Sequence, residues 1–450
     1  MDDVSPPVPQ TRGLFSGWAL VAILMLFYFL SFVDRALISL MVEPIQHDLK
    51  FTDMQMGLLL GPAFGIFYAA AGIPLGRLMD RYSKRWLCMA VVSFWGLSTA
   101  ISGMASSFAL FFASRLGLGA GEAGLSPAAY SLIAEQVPRK RLATAYSFYT
   151  VGAFAGGGLA IVGGGWVVHA LAASGSVTIP LLGRFYPWQL TFLLVGGLTI
   201  LAAPLALLLR ENVRATSAKA RSQGEPQASS GLWALIRTDP LFYLGYPFAF
   251  GSVNVIVTAF HVWTPAYMGR TYGWPIETVG LAYGTTQGIA GVIGLLGMGW
   301  LVERLYNRGM VDAHAKVPAI ALCLSIPAMI AGILSHSPTA FLLASIVFWG
   351  ATYTYAGYAP AALQLGTPAS FRASIGAVYV TFLSVMGLFI GPTMVSWFTE
   401  VVLQDKAKIG LSLVFVMVVW TPIALTALMV VARKLRARHA MSPSADHAVV

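Results

Sequence analysis

The stretch GRLMDRYSKR at residues 76–85 reappears in related form as GWLVERLYNR at residues 299–308. Both copies have the spacing Gly-x-Leu-x-acid-Arg-x-x-x-Arg, and in each copy a short basic turn follows a long apolar run. The copies lie about half of the 450-residue chain apart. An internal repeat of this period predicts that the two halves of the chain share one fold.

The composition is that of a membrane protein. Hydrophobic residues make up 57% of the chain and charged residues 10%, and the mean hydropathy is +0.73. Soluble domains carry about 25% charged residues, so most of this surface must face lipid. Twelve apolar runs are long enough to cross a bilayer, and their glycine-rich composition favours helices over a barrel. The runs lie at residues 16–41, 54–79, 86–104, 107–135, 141–170, 187–209, 241–269, 276–302, 316–335, 338–365, 371–402 and 409–432.

These runs predict an all-α membrane protein with twelve transmembrane helices in two pseudo-symmetric six-helix bundles. We expect the first bundle at residues 16–209 and the second at residues 241–432. The charged, Ser- and Ala-rich segment between them, residues 210–240, is predicted to be a cytoplasmic linker. The tails at residues 1–15 and 433–450 are expected in the cytoplasm as well.

Two further motifs occur at equivalent places in the halves. Gly152-x-x-x-Gly156 lies in the fifth run, and Gly387-x-x-x-Gly391 lies in the eleventh. Small residues at this spacing let helices approach closely. The pattern fits static packing and a gating movement equally well.

The net charge of +10 reflects the orientation of the chain in the membrane rather than a nucleic-acid partner. With an even number of spans and both termini in the cytoplasm, 21 of the 28 Lys and Arg residues fall in cytoplasmic segments. This positive-inside bias fixes the predicted orientation.

Four charged residues lie well inside apolar runs: Asp34 and Arg35 in the first, and Arg115 and Glu122 in the fourth. Each costs at least about 2.5–3.5 kcal/mol to insert, so we expect them to meet. Asp34 and Arg115 share a depth, whereas Glu122 lies two turns along from Arg115 on the same helix face. Which carboxylate pairs with which arginine stays open at this point.

Such a cluster suits proton exchange. Burial disfavours the charged form of a carboxylate and a neighbouring guanidinium favours it, so changes in hydration could load or release a proton. Protonation of Asp34 or Glu122 would also free an arginine for an anionic headgroup. The alternative is a static salt-bridge network that holds the first and fourth helices together.

The duplicated turn resembles the loop motif of the major facilitator superfamily, and GLFIGP at residues 387–392 resembles its Gly-xxx-Gly-Pro motif. The resemblance implies that the two turns lock an inner gate between the halves. The alternative is that their charges only anchor helix ends. The implied gating residues are Gly76, Asp80, Arg81, Arg85, Glu303, Arg304 and Arg308.

A narrower resemblance lies in the first half. FVDR at residues 32–35 and RLGLGAGEA at residues 115–123 look like the Spinster group of that superfamily. Spinster proteins are proton-linked transporters of lysophospholipids, sphingosine phosphate or related amphiphiles. The resemblance implies that Asp34 and Glu122 couple protons and that Arg35 either binds a headgroup or is the partner of a carboxylate.

The second half has no charged residue inside its spans apart from the helix ends. Its polar candidates for substrate binding, besides Arg35 and Arg115, are Asn254, His261, Tyr355 and Tyr358. A cavity that is charged on one wall and aromatic and polar on the other suits an amphipathic anion. Packing is the alternative role for the tyrosines.

The sequence contains no Walker loop, no His/Cys metal cluster and no Gly-x-Ser-x-Gly elbow. We therefore expect a monomeric carrier of the bacterial inner membrane rather than an enzyme, with a proton gradient in place of a cofactor. Its expected partners are membrane lipids, protons and a small lysophospholipid- or sphingosine-phosphate-like anion. The alternative substrates are water-soluble organic anions or drugs.

Overall fold

The computed structural model describes residues 14–138, 141–173, 177–179, 183–209, 228–368 and 371–441. Six helical spans form each half, and both described ends of the chain lie on one face. We call this the terminal face and the opposite side the far face. Spans 1–6 are Leu14–Leu40, Asp53–Leu60 with Pro62–Arg81, Lys84–Gly103, Phe108–Glu122 with Leu125–Gln136, Leu142–Ala173, and Pro187–Ala202 with a 3₁₀ turn Ala203–Leu208. Spans 7–12 are Gly245–Tyr272, Ile276–Asn307, Ala313–Leu334, Pro338–Ala351 with Tyr355–Leu365, Arg372–Val385 through Gly391–Trp397, and Ile409–Met441.

Spans 4 and 10 are interrupted at equivalent places. Ten helical segments among the described residues are long and apolar enough to cross a membrane, and these two spans complete the twelve. Span 4 breaks between Glu122 and Leu125, where Pro127 cannot donate a hydrogen bond to the carbonyl of Ala123. Span 10 breaks before Tyr355, where the Thr354 hydroxyl bonds the Ala351 carbonyl and competes with helix bonding.

Each small-residue motif packs against the first span of its own half. A Cβ atom at Gly156 would lie 2.4 Å from the carbonyl oxygen of Phe29 in span 1. A Cβ atom at Gly391 would lie 2.7 Å from the carbonyl oxygen of Val255 in span 7. The repeated Gly-x-x-x-Gly motif therefore makes the same helix contact in both halves.

The two halves meet toward the far face. A Cβ atom at Gly61 of span 2 would lie 1.9 Å from the carbonyl oxygen of Leu388 in span 11, and one at Gly280 of span 8 would lie 2.5 Å from that of Ile161 in span 5. Toward the terminal face, by contrast, Gly72 of span 2 and its neighbour Gly76 face open space. The conformation is closed at the far face.

Gly61→Ala should force the far ends of spans 2 and 11 apart, because its new Cβ would overlap backbone. The expected overpacking cost is about 1–3 kcal/mol. We expect faster maleimide labelling of a cysteine placed at the buried position Ser396, which faces span 2. Gly72→Ala is the matched control and should leave the labelling rate unchanged. Equal rates for both variants would contradict this interface.

The structure adds elements that the apolar runs did not predict. Helix Val42–Leu49 and a hairpin of strands Val177–Ile179 and Gly183–Phe185 lie at the far face. Helix Ala228–Thr238 occupies the second part of the predicted linker, whose residues 210–227 lie outside the described part of the chain.

Span 12 continues to Met441, past the boundary predicted at residue 432. Ion pairs hold this extension to the rest of the second half. Lys434 and Arg438 contact Asp239 at 3.1 and 2.9 Å, and Arg436 contacts Asp312 at 2.9 Å. Basic residues that looked like a polar tail therefore form a helix because acidic partners lie beside them.

Candidate functional site

The four embedded charges of the first half meet between spans 1 and 4. Glu122 accepts hydrogen bonds from Nε of Arg35 at 2.6 Å and from the Ser31 hydroxyl at 2.7 Å, and Nη2 of Arg35 completes the ion pair at 2.5 Å. All these bonds reach one carboxylate oxygen, Oε2, and the other oxygen has no partner among the described residues. Arg35 is thus the partner of Glu122, which the sequence left open.

Asp34 is fully buried, and neither of its carboxylate oxygens has a hydrogen-bond partner within the described part of the chain. Arg115 lies within electrostatic reach of it, and Trp95 and Thr99 of span 3 lie beside it. Nε of Arg115 and the indole nitrogen of Trp95 are likewise buried without a partner. Four polar atoms of Asp34, Trp95 and Arg115 are thus without a hydrogen-bond partner among the described residues.

Aromatic rings hold Arg35 in place. Its guanidinium lies 5.0 Å from the centroid of Phe32, 4.6 Å from Phe64 and 4.8 Å from Tyr68, distances at which cation–π attraction acts. The Arg35 side chain is 24% exposed, whereas that of Glu122 is completely buried. Arg35 is therefore the member of the cluster that a ligand can reach.

The broken spans converge on this arginine. Glu122 ends the first segment of span 4, and Tyr353 lies in the break of span 10, within electrostatic reach of Arg35 from the other half. Interrupted helices near the membrane midplane are where secondary transporters build their binding sites. The site thus spans both halves.

Two of the predicted residues of the second half bond to each other. The Asn254 oxygen accepts a hydrogen bond from the Tyr355 hydroxyl at 2.7 Å, and its amide nitrogen donates to the Leu383 carbonyl at 2.8 Å. A Cβ atom at Gly387 would lie 2.2 Å from that nitrogen, so the glycine of GLFIGP makes room for Asn254. This bonding ties spans 7, 10 and 11 together.

His261 and Tyr358 are placed differently. His261 Nδ1 lies 3.0 Å from Nε2 of Gln287, and its ring meets the edge of Trp349 with centroids 5.8 Å apart. Tyr358 is 6% exposed, and its hydroxyl is buried with no partner in the described structure. Their roles in substrate binding stay predictions.

The predicted gate residues lie at the terminal face. Arg85, Glu303 and Arg308 are exposed, and the Arg304 guanidinium lies 4.9 Å from the Trp300 ring centroid. The side chains of Asp80 and Arg81 lie outside the described residues. The inner-gate function of the two turns therefore stays a prediction.

Sequence reasoning missed a cluster around Arg270 at the far face. Arg270 of span 7 donates to both carboxylate oxygens of Asp53, at 3.0 and 2.8 Å, to Glu43 at 2.6 Å and to Gln46 at 2.8 Å. The side chains of Arg270 and Asp53 are only 6% and 1% exposed. We call these four residues the far latch, because they join the two halves. One feature of the sequence could have pointed to the far latch. Lys and Arg are rare in the far-face segments because of the positive-inside bias, so Arg270 stands out there beside acidic residues.

The sequence model of the Major Facilitator Superfamily matches residues 24–392. The chain therefore belongs to the Major Facilitator Superfamily, as the duplicated turn predicted. It is a membrane transporter, a non-enzymatic carrier of two six-helix bundles.

Several known transporters are similar to this chain. An MFS-type efflux pump of Mycolicibacterium smegmatis is 28% identical over 86% of both chains. A probable L-galactonate transporter of Escherichia coli is 24% identical over 66% of this chain and 64% of that one. The crystal structure of a bacterial homolog of the human lysosomal transporter Spinster, inward-facing and unoccupied, matches with a TM-score of 0.77 at 22% identity, over 95% of this chain and 99% of that one. The fold of the Spinster homolog is thus shared, as the motifs predicted.

Proposed function

We propose that this carrier moves a small amphipathic or lipid-like anion, of the lysophospholipid or sphingosine-phosphate type, in exchange for or together with protons by alternating access. The observation that carries the proposal is the partly exposed Arg35, framed by aromatic rings and neutralised by the buried Glu122. A substrate anion can replace that carboxylate as the partner of the guanidinium, while apolar parts of the substrate contact the rings.

The proton role follows from the contrast between the two carboxylates. Asp34 lies buried without a hydrogen bond from the described residues, which makes its charged form costly. Glu122 has its charge compensated by Arg35. In the proposed cycle Asp34 carries a proton in this conformation, and protonation of Glu122 releases Arg35 to the substrate. Proton and anion binding are thereby coupled.

A second candidate substrate class is water-soluble organic anions. The probable L-galactonate transporter among the relatives favours it, as do the polar groups on the second-half wall around Asn254 and His261. Both classes present an anion to Arg35. The two classes differ in the part of the substrate that contacts the second half: an alkyl chain in a lipid-like anion, and hydroxyl groups in a sugar acid.

For location, we propose a bacterial inner membrane with the terminal face toward the cytoplasm. The support is the sequence pattern, in which 21 of the 28 Lys and Arg residues fall in segments predicted to be cytoplasmic. In that orientation the far latch closes the extracytoplasmic side.

Arg35→Ala should weaken anion binding by about 10- to 100-fold, because a charge-assisted hydrogen bond is lost. Neutral analogues should bind almost as before. The measurement is a thermal-shift titration of detergent-purified protein with lysophosphatidylglycerol, sphingosine 1-phosphate and L-galactonate, with monoacylglycerol as the neutral ligand.

Because Arg35→Ala leaves Glu122 buried without a counter-charge, the double variant Arg35→Ala/Glu122→Gln provides the control for folding. It removes both charges and should retain native melting while still losing anion affinity. Equal losses for anionic and neutral ligands would show that Arg35 acts only in packing.

A further inference from the structure

Four tyrosines from three spans converge in the second half. Tyr246 of span 7 and Tyr379 of span 11 have ring centroids 6.3 Å apart, and Phe250 lies between Tyr379 and Tyr355 of span 10, at 6.3 and 5.6 Å. Tyr358, one turn beyond Tyr355, lies within electrostatic reach of Tyr379. All four are at most 6% exposed.

The four hydroxyls differ in hydrogen bonding. Tyr246 donates to the Ala359 carbonyl at 2.6 Å, and Tyr355 donates to the Asn254 oxygen at 2.7 Å. The hydroxyls of Tyr358 and Tyr379 are buried, and no described residue meets either one with hydrogen-bond geometry, although Thr354 lies beside Tyr358. Because a buried donor without an acceptor is costly, two such hydroxyls in one cluster of tyrosines indicate a place where a polar group of a ligand can bind.

We propose that Tyr358 and Tyr379 form a neutral subsite that binds hydroxyl or carbonyl oxygens of the substrate while Arg35 binds its anionic end. The inference rests on the proposed function and narrows it: the substrate carries uncharged hydrogen-bond acceptors besides its anion. Lysophospholipids and sugar acids share this chemistry.

The backbone around the two tyrosines lets the subsite open. Tyr358 lies on the short segment Tyr355–Leu365, directly after the break of span 10. Tyr379 lies on Arg372–Val385, about two turns before the π-helical segment Met386–Ile390. Such π segments are frequent at functional sites. Rotation of either segment admits a ligand to hydroxyls that are covered in this conformation.

The test uses tyrosine-to-phenylalanine variants of the full-length protein. Tyr358→Phe and Tyr379→Phe remove unpartnered hydroxyls, so the melting temperature without ligand should stay the same or rise. Tyr246→Phe and Tyr355→Phe remove bonded hydroxyls and should lower it. If all four variants melt lower alike, the two orphan hydroxyls are bonded to internal water and the subsite is overturned.

Binding is measured with two pairs of anions that differ in hydroxyl content. Lysophosphatidylglycerol is compared with hexadecyl phosphate, and L-galactonate with hexanoate. Tyr358→Phe and Tyr379→Phe should each weaken binding of the hydroxylated anion about three- to tenfold, which corresponds to one hydrogen bond. Binding of the anion without hydroxyls should stay unchanged. The pair that responds identifies the source of the hydroxyls as lipid or sugar acid.

Unchanged affinity for the hydroxylated probe, or equal losses for both members of a pair, would overturn the subsite and leave the proposed function standing. A wild-type protein that binds none of the four anions would contradict the proposed function and the subsite with it.

Discussion

Asp34→Asn is expected to reduce proton-driven substrate accumulation to background while the protein stays folded and still exchanges substrate. Asparagine fills the same space but cannot gain or lose a proton. No described group meets the Asp34 carboxylate with hydrogen-bond geometry, and an asparagine can keep the polar contacts with Trp95 and Thr99 beside it, so stability should change little. Reconstituted liposomes would separate the two activities, with accumulation measured under an imposed pH difference and exchange measured by counterflow without one.

Glu122→Gln should also lose coupling, but with a different signature. It removes the counter-charge of Arg35, so anions should bind more tightly than in the wild type, opposite to Arg35→Ala. Counterflow should therefore saturate at lower substrate concentration. If Asp34→Asn and Glu122→Gln both kept the wild-type dependence of transport on pH, proton coupling would belong to other residues.

Asp53→Asn is expected to shift the carrier strongly toward a conformation open at the far face. The substitution breaks the buried bidentate pair with Arg270 in the far latch, and breaking one partner of a buried pair costs about 3–5 kcal/mol. Since 1.4 kcal/mol is a factor of ten, the ratio of the two conformations should change by about 100-fold or more. Spin labels at the far ends of spans 2 and 11 would report the change as longer distances.

Asp405→Asn is the matched control for the far latch. Asp405 lies at the same face and contacts Lys408 at 3.5 Å, but that pair is exposed and within the second half, so its loss should leave the distances unchanged. Unaltered distances in Asp53→Asn would show that the far latch does not hold this conformation.

The fold could be predicted from the sequence because it depends on periodic features. Long apolar runs fixed the number of spans, and the placement of Lys and Arg indicated their order across the bilayer. The cost of burying Asp34 and Glu122 in lipid also predicted that the embedded charges would meet. These effects are large and local, so they leave a clear pattern in the chain.

The pairing within the site could not be predicted in the same way. Whether Arg35 meets Glu122 depends on the rotation of span 1 against span 4, which a difference of one residue along a helix changes by about 100°. The far latch depends on contacts between Arg270 and residues more than 200 positions away. The break of span 10 was hard to predict because only Pro360 and two threonines, Thr352 and Thr354, indicate it in the sequence.

The most direct test of proton-coupled anion transport is pH recording inside liposomes that contain the purified carrier. Adding lysophosphatidylglycerol or L-galactonate outside, with no other gradient present, should change the internal pH at a rate that follows substrate flux, and Asp34→Asn should abolish that change. Flux that proceeds with no pH change, and that continues unaltered when a protonophore collapses an imposed proton gradient, would contradict the coupling.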